Sequence, residues 1–108
     1  GFLGTNLTRR LIQEGANVTL FVREGKNLIN LQDIKNKLTI IKGDLTNQEQ
    51  TRQAIKEKDY LFHFAWQTDL KKSMSNPKED VNSDIIGLIN ILESCKEFNP
   101  RLLGHYIP

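Results

Sequence analysis

Gly1-Phe2-Leu3-Gly4, running straight into Thr5-Asn6-Leu7-Thr8-Arg9-Arg10-Leu11-Ile12-Gln13-Glu14-Gly15, is the stretch that decides the fold of this chain. Two glycines three apart are followed at once by apolar residues at helical spacing, Leu7, Leu11 and Ile12, with charged residues between them. A turn of that kind suits a phosphate. Gly1 lets the backbone approach a pyrophosphate, Gly4 lets the helix pack closely on a strand, and the unpaired Phe2 and Leu3 amides face the anion at the positive end of the helix. Gly15 is placed to stop the helix as its C′ residue. Such a turn needs a strand feeding into it, and the chain begins inside this motif, so a fragment or the product of a truncated gene is expected.

Outward from the turn, short apolar runs alternate with helical patterns. Val18-Thr19-Leu20-Phe21-Val22 predicts a buried strand, residues 23–37 a loop with one short helix, and Leu38-Thr39-Ile40-Ile41 a second strand closed by Lys42-Gly43-Asp44. Thr46 and Glu49 are spaced as a capping box for a polar helix that turns Leu45, Ala54 and Ile55 inward. Asp59 to Trp66 is apolar almost throughout and predicts a third strand, of the type covered on both faces in parallel sheets. Asn76 as N-cap, Pro77 at the first position and Glu79 three residues after the cap predict a long helix over 77–98. Its stripe of Val81, Ile85, Leu88, Leu92 and Cys95 is expected to face the sheet. Ile86 and Ile89 widen the apolar face enough for a second partner, a homodimer through helix 77–98. Arg101-Leu102-Leu103 offers the start of one more strand, which Gly104 to Pro108 continue poorly. Alternation of this kind predicts an α/β fold, a partial Rossmann-like doubly wound parallel sheet in three α/β/α layers, within one domain over 1–108.

Composition excludes several classes of function. The charged residues, 15 basic and 13 acidic, are spread along the chain without a basic block, which argues against nucleic acid or an anionic membrane surface as partner. The apolar runs are too short to span a bilayer. A single cysteine, Cys95, has no partner for an internal disulfide and lies on an apolar helical stripe, so it reads as buried packing. With no signal peptide visible, the expected location is the cytoplasm. No metal-ligand spacing and no Ser–His–Asp set is readable.

In parallel α/β sheets ligands bind outside the carboxyl ends of the strands, which directs attention to four places. Arg23 follows the first strand, where a carboxylate would bond the ribose 2′-hydroxyl of NAD and an arginine accepts the 2′-phosphate of NADP. It is read as a slight lean to NADP, against a solvated arginine, and Glu24 beside it blunts the lean. Asp44 accepts from an adenine amino group while Leu45 packs on the ring, or else helps cap the helix near Thr46. Ala65 leaves room for the second ribose of a cofactor. His63, inside the apolar run, reads as a hydrogen-bonded core histidine.

Together these residues resemble the extended short-chain dehydrogenase/reductase family, the NAD-dependent epimerase/dehydratase group. Gly1-Phe2-Leu3-Gly4 is similar to the second half of its T-G-x-x-G-F-[IL]-G fingerprint, and Gly43-Asp44-Leu45 to its G-D-[LI] adenine contact. Tyr60-Leu61-Phe62-His63-Phe64-Ala65 is similar to its V-[FY]-H-[LF]-A-[AG] strand. Pro77 through Glu93 resembles its P-x-x-x-x-x-x-N-x-x-G-T-x-N-[LI]-L-E helix. The resemblance implies NAD(P) held by Gly1, Phe2, Leu3, Gly4, Arg23, Asp44, Leu45, Phe64, Ala65 and Trp66. It implies hydride transfer on a small-molecule substrate, a nucleotide sugar, as an epimerase, dehydratase or reductase. Three departures stand out: Trp66 replaces a small residue, Asp84 replaces the helix asparagine, and Leu88 the threonine after Gly87. The family's catalytic Ser/Thr and Tyr-x-x-x-Lys pair would lie beyond residue 108. Tyr106 comes too early for that role, so no catalytic residue is assigned. The competing expectations are a non-catalytic dinucleotide-binding or sensing protein on the same fold, or an inactive truncated gene product.

Overall fold

A computed structural model describes residues 2–64 and 77–107. They form two compact units, which meet at Gly43 and Asp44 in the sequence. The first unit holds helix α1 (Phe2–Gln13), strand β1 (Val18–Val22), a 3₁₀ segment (Ile29–Lys37) and strand β2 (Leu38–Lys42). The second holds helix α2 (Gln48–Ile55), strand β3 (Leu61–Phe62), helix α3 (Pro77–Phe98), a 3₁₀ turn (Pro100–His105) and strand β4 (Tyr106–Ile107).

α1 stops where a glycine permits it. Gly15 takes φ 85°, its N–H donates to Ile12 O, and the Ala16 N–H donates to Leu11 O, so the last carbonyls are satisfied by a left-handed residue. β1 and β2 are parallel and in register from Val18–Leu38 to Val22–Lys42, and the Gly43 N–H donates to Val22 O to extend the ladder by one. The crossover between them is the 3₁₀ segment, longer than such helices usually run. It is tied to α1 by Arg9, whose guanidinium makes two 2.8 Å bonds to the Asp33 carboxylate and a third to the Asn30 carbonyl. β1 was expected to be buried, but all five of its residues are half-buried, since it pairs only with β2 among the described residues.

In the second unit, α2 and α3 lie side by side with a near-constant offset along the chain. Asn90 meets Leu45, Gln48 meets Glu93, Arg52 meets Glu97, and Asn99 meets Ile55. The Arg52 guanidinium also lies 5.0 Å from the centre of the Phe98 ring. Beneath this seam Ile55, Ile91, Cys95 and Leu102 form a buried cluster, with Leu45 and Leu61 packed against it. β3 and β4 pair in parallel, Leu61 with Tyr106 and Phe62 with Ile107.

Five local expectations are corrected. The α2 N-cap is Asn47, not Thr46: its side chain accepts from the Gln50 N–H, while Thr46 bonds back to Asp44. Among the described residues the third strand is only Leu61–Phe62. Arg101 to Leu103 form a 3₁₀ turn rather than a strand, because Pro100 opens a helical turn that drives Leu102 fully under α3. The short strand comes after it, at Tyr106–Ile107, where little pairing was expected. On α3 the buried face is Gly87, Asn90, Ile91, Ser94 and Cys95; of the expected stripe Cys95 is buried, whereas Ile85 and Leu92 are exposed. Asn76 lies outside the described residues.

Candidate functional site

α1 opens at Phe2, so Phe2, Leu3 and Gly4 form its first turn, whose backbone N–H groups have no partner within the helix. No acidic side chain occupies that turn. Thr8, buried one turn on, donates its hydroxyl to Gly4 O at 2.7 Å. The end of a helix thus presents donors and a positive dipole with no carboxylate of its own to answer them.

At the carboxyl edge of the same unit, Arg23 follows Val22 directly, and Val22 is paired with Lys42. Arg23 is exposed and starts a tight turn in which the Lys26 N–H donates to Arg23 O and Gly25 takes φ 79°. Lys26 and Lys42 line a groove of about 500 Å³ with Asn27, Leu28, Gln32, Lys35 and Ile40. No carboxylate lines it. The first unit carries seven lysines and arginines against three acidic residues, so the chain's basic excess is concentrated there. Sequence reasoning missed Lys26 and Lys42 as candidates. The signal was available, since Lys42 precedes Gly43-Asp44 at a strand end as Arg23 follows β1.

The second unit contributes Asp44, Leu45 and Phe64. The Asp44 Oδ1 accepts from both the N–H (2.9 Å) and the hydroxyl (2.8 Å) of Thr46, and the Asp44 N–H donates to Gln50 Oε1. The carboxylate therefore has the local turn-forming role that was weighed against an adenine contact, while the residue itself stays exposed. Leu45 is half-buried, with its carbonyl held by Asn90 and Thr51. Phe64 is exposed just past β3. His63 is buried, and that burial lowers the pKa of its imidazole, with the Asp84 charge acting in the opposite direction. Gly1, Ala65 and Trp66 lie outside the described residues. The structure thus brings Phe2, Leu3, Gly4 and Arg23 into one unit and Asp44, Leu45 and Phe64 into the other. Among the described residues no group of three His, Cys, Asp or Glu is arranged to hold a metal, and no helix is long and apolar enough to cross a membrane.

Comparison with known proteins bears on all of these residues at once. The family model for the NAD dependent epimerase/dehydratase family matches residues 1–105. The chain belongs to that family. It is 27% identical, over 99% of its length, to a dTDP-glucose 4,6-dehydratase of Mycobacterium tuberculosis, of which it covers 33%. It is 31% identical, over 92% of its length, to dihydroflavonol 4-reductase of Solanum lycopersicum, of which it covers 27%. Among solved structures, the epimerase Mth375 of Methanothermobacter thermautotrophicus superposes with a TM-score of 0.75 at 30% identity, over 86% of this chain and 28% of that one. The epimerase/dehydratase relatives share a Rossmann-type α/β fold, and this chain is a part of it. It spans about a third of the length of these relatives.

Proposed function

We propose that this chain is the cofactor-binding portion of an NAD(P)-dependent epimerase, dehydratase or reductase that acts on a nucleotide sugar by hydride transfer. The observation that carries the proposal is the opening of α1. A helix that starts between paired glycines, with free N–H groups and no acidic residue in its first turn, suits the cofactor's pyrophosphate. In this reading Gly1, Phe2, Leu3 and Gly4 hold the pyrophosphate. Asp44 and Leu45 take the adenine, and Phe64, Ala65 and Trp66 line the ribose and nicotinamide end. The cofactor supplies the hydride chemistry; the chain's part is to bind and orient it. The substrate class follows from the relatives named for dTDP-glucose, UDP-glucuronate and CDP-paratose.

NADP is the preferred form in this reading, because Arg23 follows Val22, whose strand partner is Lys42, and a 2′-phosphate adds two negative charges for these cations to meet. Titration of the full-length protein with NADH and NADPH tests both points. Binding of both, tighter for NADPH, is the expected result, and Arg23→Ala should weaken NADPH by about tenfold or more while sparing NADH. Equal losses would remove Arg23 from that role; binding of neither cofactor would overturn the proposal.

The exposed face of α3, with Ile85, Ile86, Ile89 and Leu92, is proposed as a homodimer contact. Sedimentation of the full-length protein should give a dimer that Ile86→Glu with Ile89→Glu dissociates. A monomeric wild type would rule this out.

A further inference from the structure

We infer that Asn90 is a positioning residue for the adenine end of the cofactor, acting through the carbonyl of Leu45. The inference rests on the adenosine reading of Asp44 and Leu45 given above. The turn from Asp44 to Asn47 is closed on itself: Thr46 bonds to the Asp44 carboxylate, the Asn47 N–H to Asp44 O, and the Asp44 N–H to Gln50. These bonds set its internal shape and leave its placement to its neighbours. Placement comes from α3. The Asn90 Nδ2 donates to Leu45 O at 2.7 Å, the shortest reach an amide makes, and Thr51 Oγ1 donates to the same oxygen at 3.2 Å. One turn earlier Gly87 lies against Leu45 so closely that a Cβ there would meet the Leu45 Cβ at 3.0 Å. A glycine admits the loop, and an amide then grips it.

The chemistry at this spot is more than packing requires. Asn90 is 9% exposed beside the apolar Ile91 and Cys95, where a leucine would fill the face without the desolvation cost of an amide. Its return is one bond to a backbone oxygen in the turn that carries Asp44. Thr51, fully buried, shares its one hydroxyl proton between this oxygen and the Asn47 carbonyl at 3.0 Å, and so ties both ends of the turn to α2. With the carbonyl pinned, the flanking Asp44 carboxylate and Leu45 side chain are held for a ligand before it arrives, which lowers the ordering cost of binding.

Equilibrium titration of the full-length protein with AMP, the adenosine half of the cofactor, tests this. Asn90→Leu should weaken AMP about tenfold, the worth of one well-placed hydrogen bond, and Asn90→Gln should recover part of the loss. Asn99→Leu is the matched control. Asn99 likewise donates its amide to backbone carbonyls, of Ile55 at 3.0 Å and Lys58 at 2.9 Å, but at the far end of α2. It should lower the thermal midpoint and leave AMP affinity unchanged. If Asn90→Leu fails to fold, Thr51→Val removes the other donor to Leu45 and takes its place. AMP binding that is unchanged in the Leu45-directed variants, or equally weakened by Asn99→Leu, overturns the positioning role. A wild type that does not take AMP overturns the adenosine reading itself, and this inference with it.

Discussion

His63 shows how one residue's surroundings become a measurable property. It was legible as a core histidine from the apolar run around it, and the structure buries it. Burial disfavours the imidazolium, so its folded pKa lies below the ordinary value of about 6.5, with Asp84 opposing. The unfolded chain then takes a proton at higher pH than the folded one. Stability is therefore full above about pH 6.5, falls as the pH drops through that value, and levels off once the folded imidazole is itself protonated. Urea unfolding of wild type and His63→Gln between pH 5 and 8 checks this: the mutant should lose that part of the slope. Identical slopes would show that His63 does not titrate differently in the two states. Arg23 and Asp44 were also named from sequence, and the structure shows the exposed Asp44 carboxylate bonded to Thr46 in its own turn.

Helix ends at the element scale follow local chemistry, and local chemistry can be read. Gly15 was assigned as the stop of α1, and the two hydrogen bonds that define the stop come from the Gly15 and Ala16 N–H groups. Nothing lies within 4 Å of where its Cβ would stand, so Gly15→Ala isolates the cost of φ 85° from any clash. It should destabilise by about 1 kcal/mol in chemical denaturation, and Gly15→Asn by less. A larger loss would mean contacts not present here. The α2 start was misassigned by one residue because Thr46 and Asn47 are both good caps. The choice went to Asn47 because Asp44 had already engaged the Thr46 hydroxyl. The N-cap of the 3₁₀ segment, Leu28, offers no capping side chain, so Asn27 Oδ1 accepts from the Ile29 N–H instead, and the anchoring by Arg9 joins residues 24 apart, which no local pattern reveals.

Fully buried apolar side chains at the scale of the whole molecule gather in the second unit, at Ile55, Ile91, Cys95 and Leu102, whereas Leu31 is the buried apolar side chain among the first unit's described residues. Leu102→Ala removes the largest of the fully buried side chains and should cost about 2–5 kcal/mol, measured by thermal or denaturant unfolding. A cost below about 1 kcal/mol would mean that the cluster is not the core of its unit. Cys95, at zero exposure and with its thiol pKa raised by burial, should react with iodoacetamide only as that core opens.

What the sequence determined by itself is most of the elements in their order, the helix that opens the chain, the stop at Gly15, and the family. The elements and the stop rest on patterns confined to a few neighbouring residues, and the family on four such short motifs taken together. Which face of α3 goes inward was decided by tertiary structure alone. Counting apolar residues favours Ile85, Leu88 and Leu92, but the helix buries Gly87, Asn90 and Ser94 beside Ile91 and Cys95. The reason is contact with a distant segment: Leu45 needs a neighbour without a Cβ and a donor for its carbonyl. Those needs arise 45 residues away from Asn90.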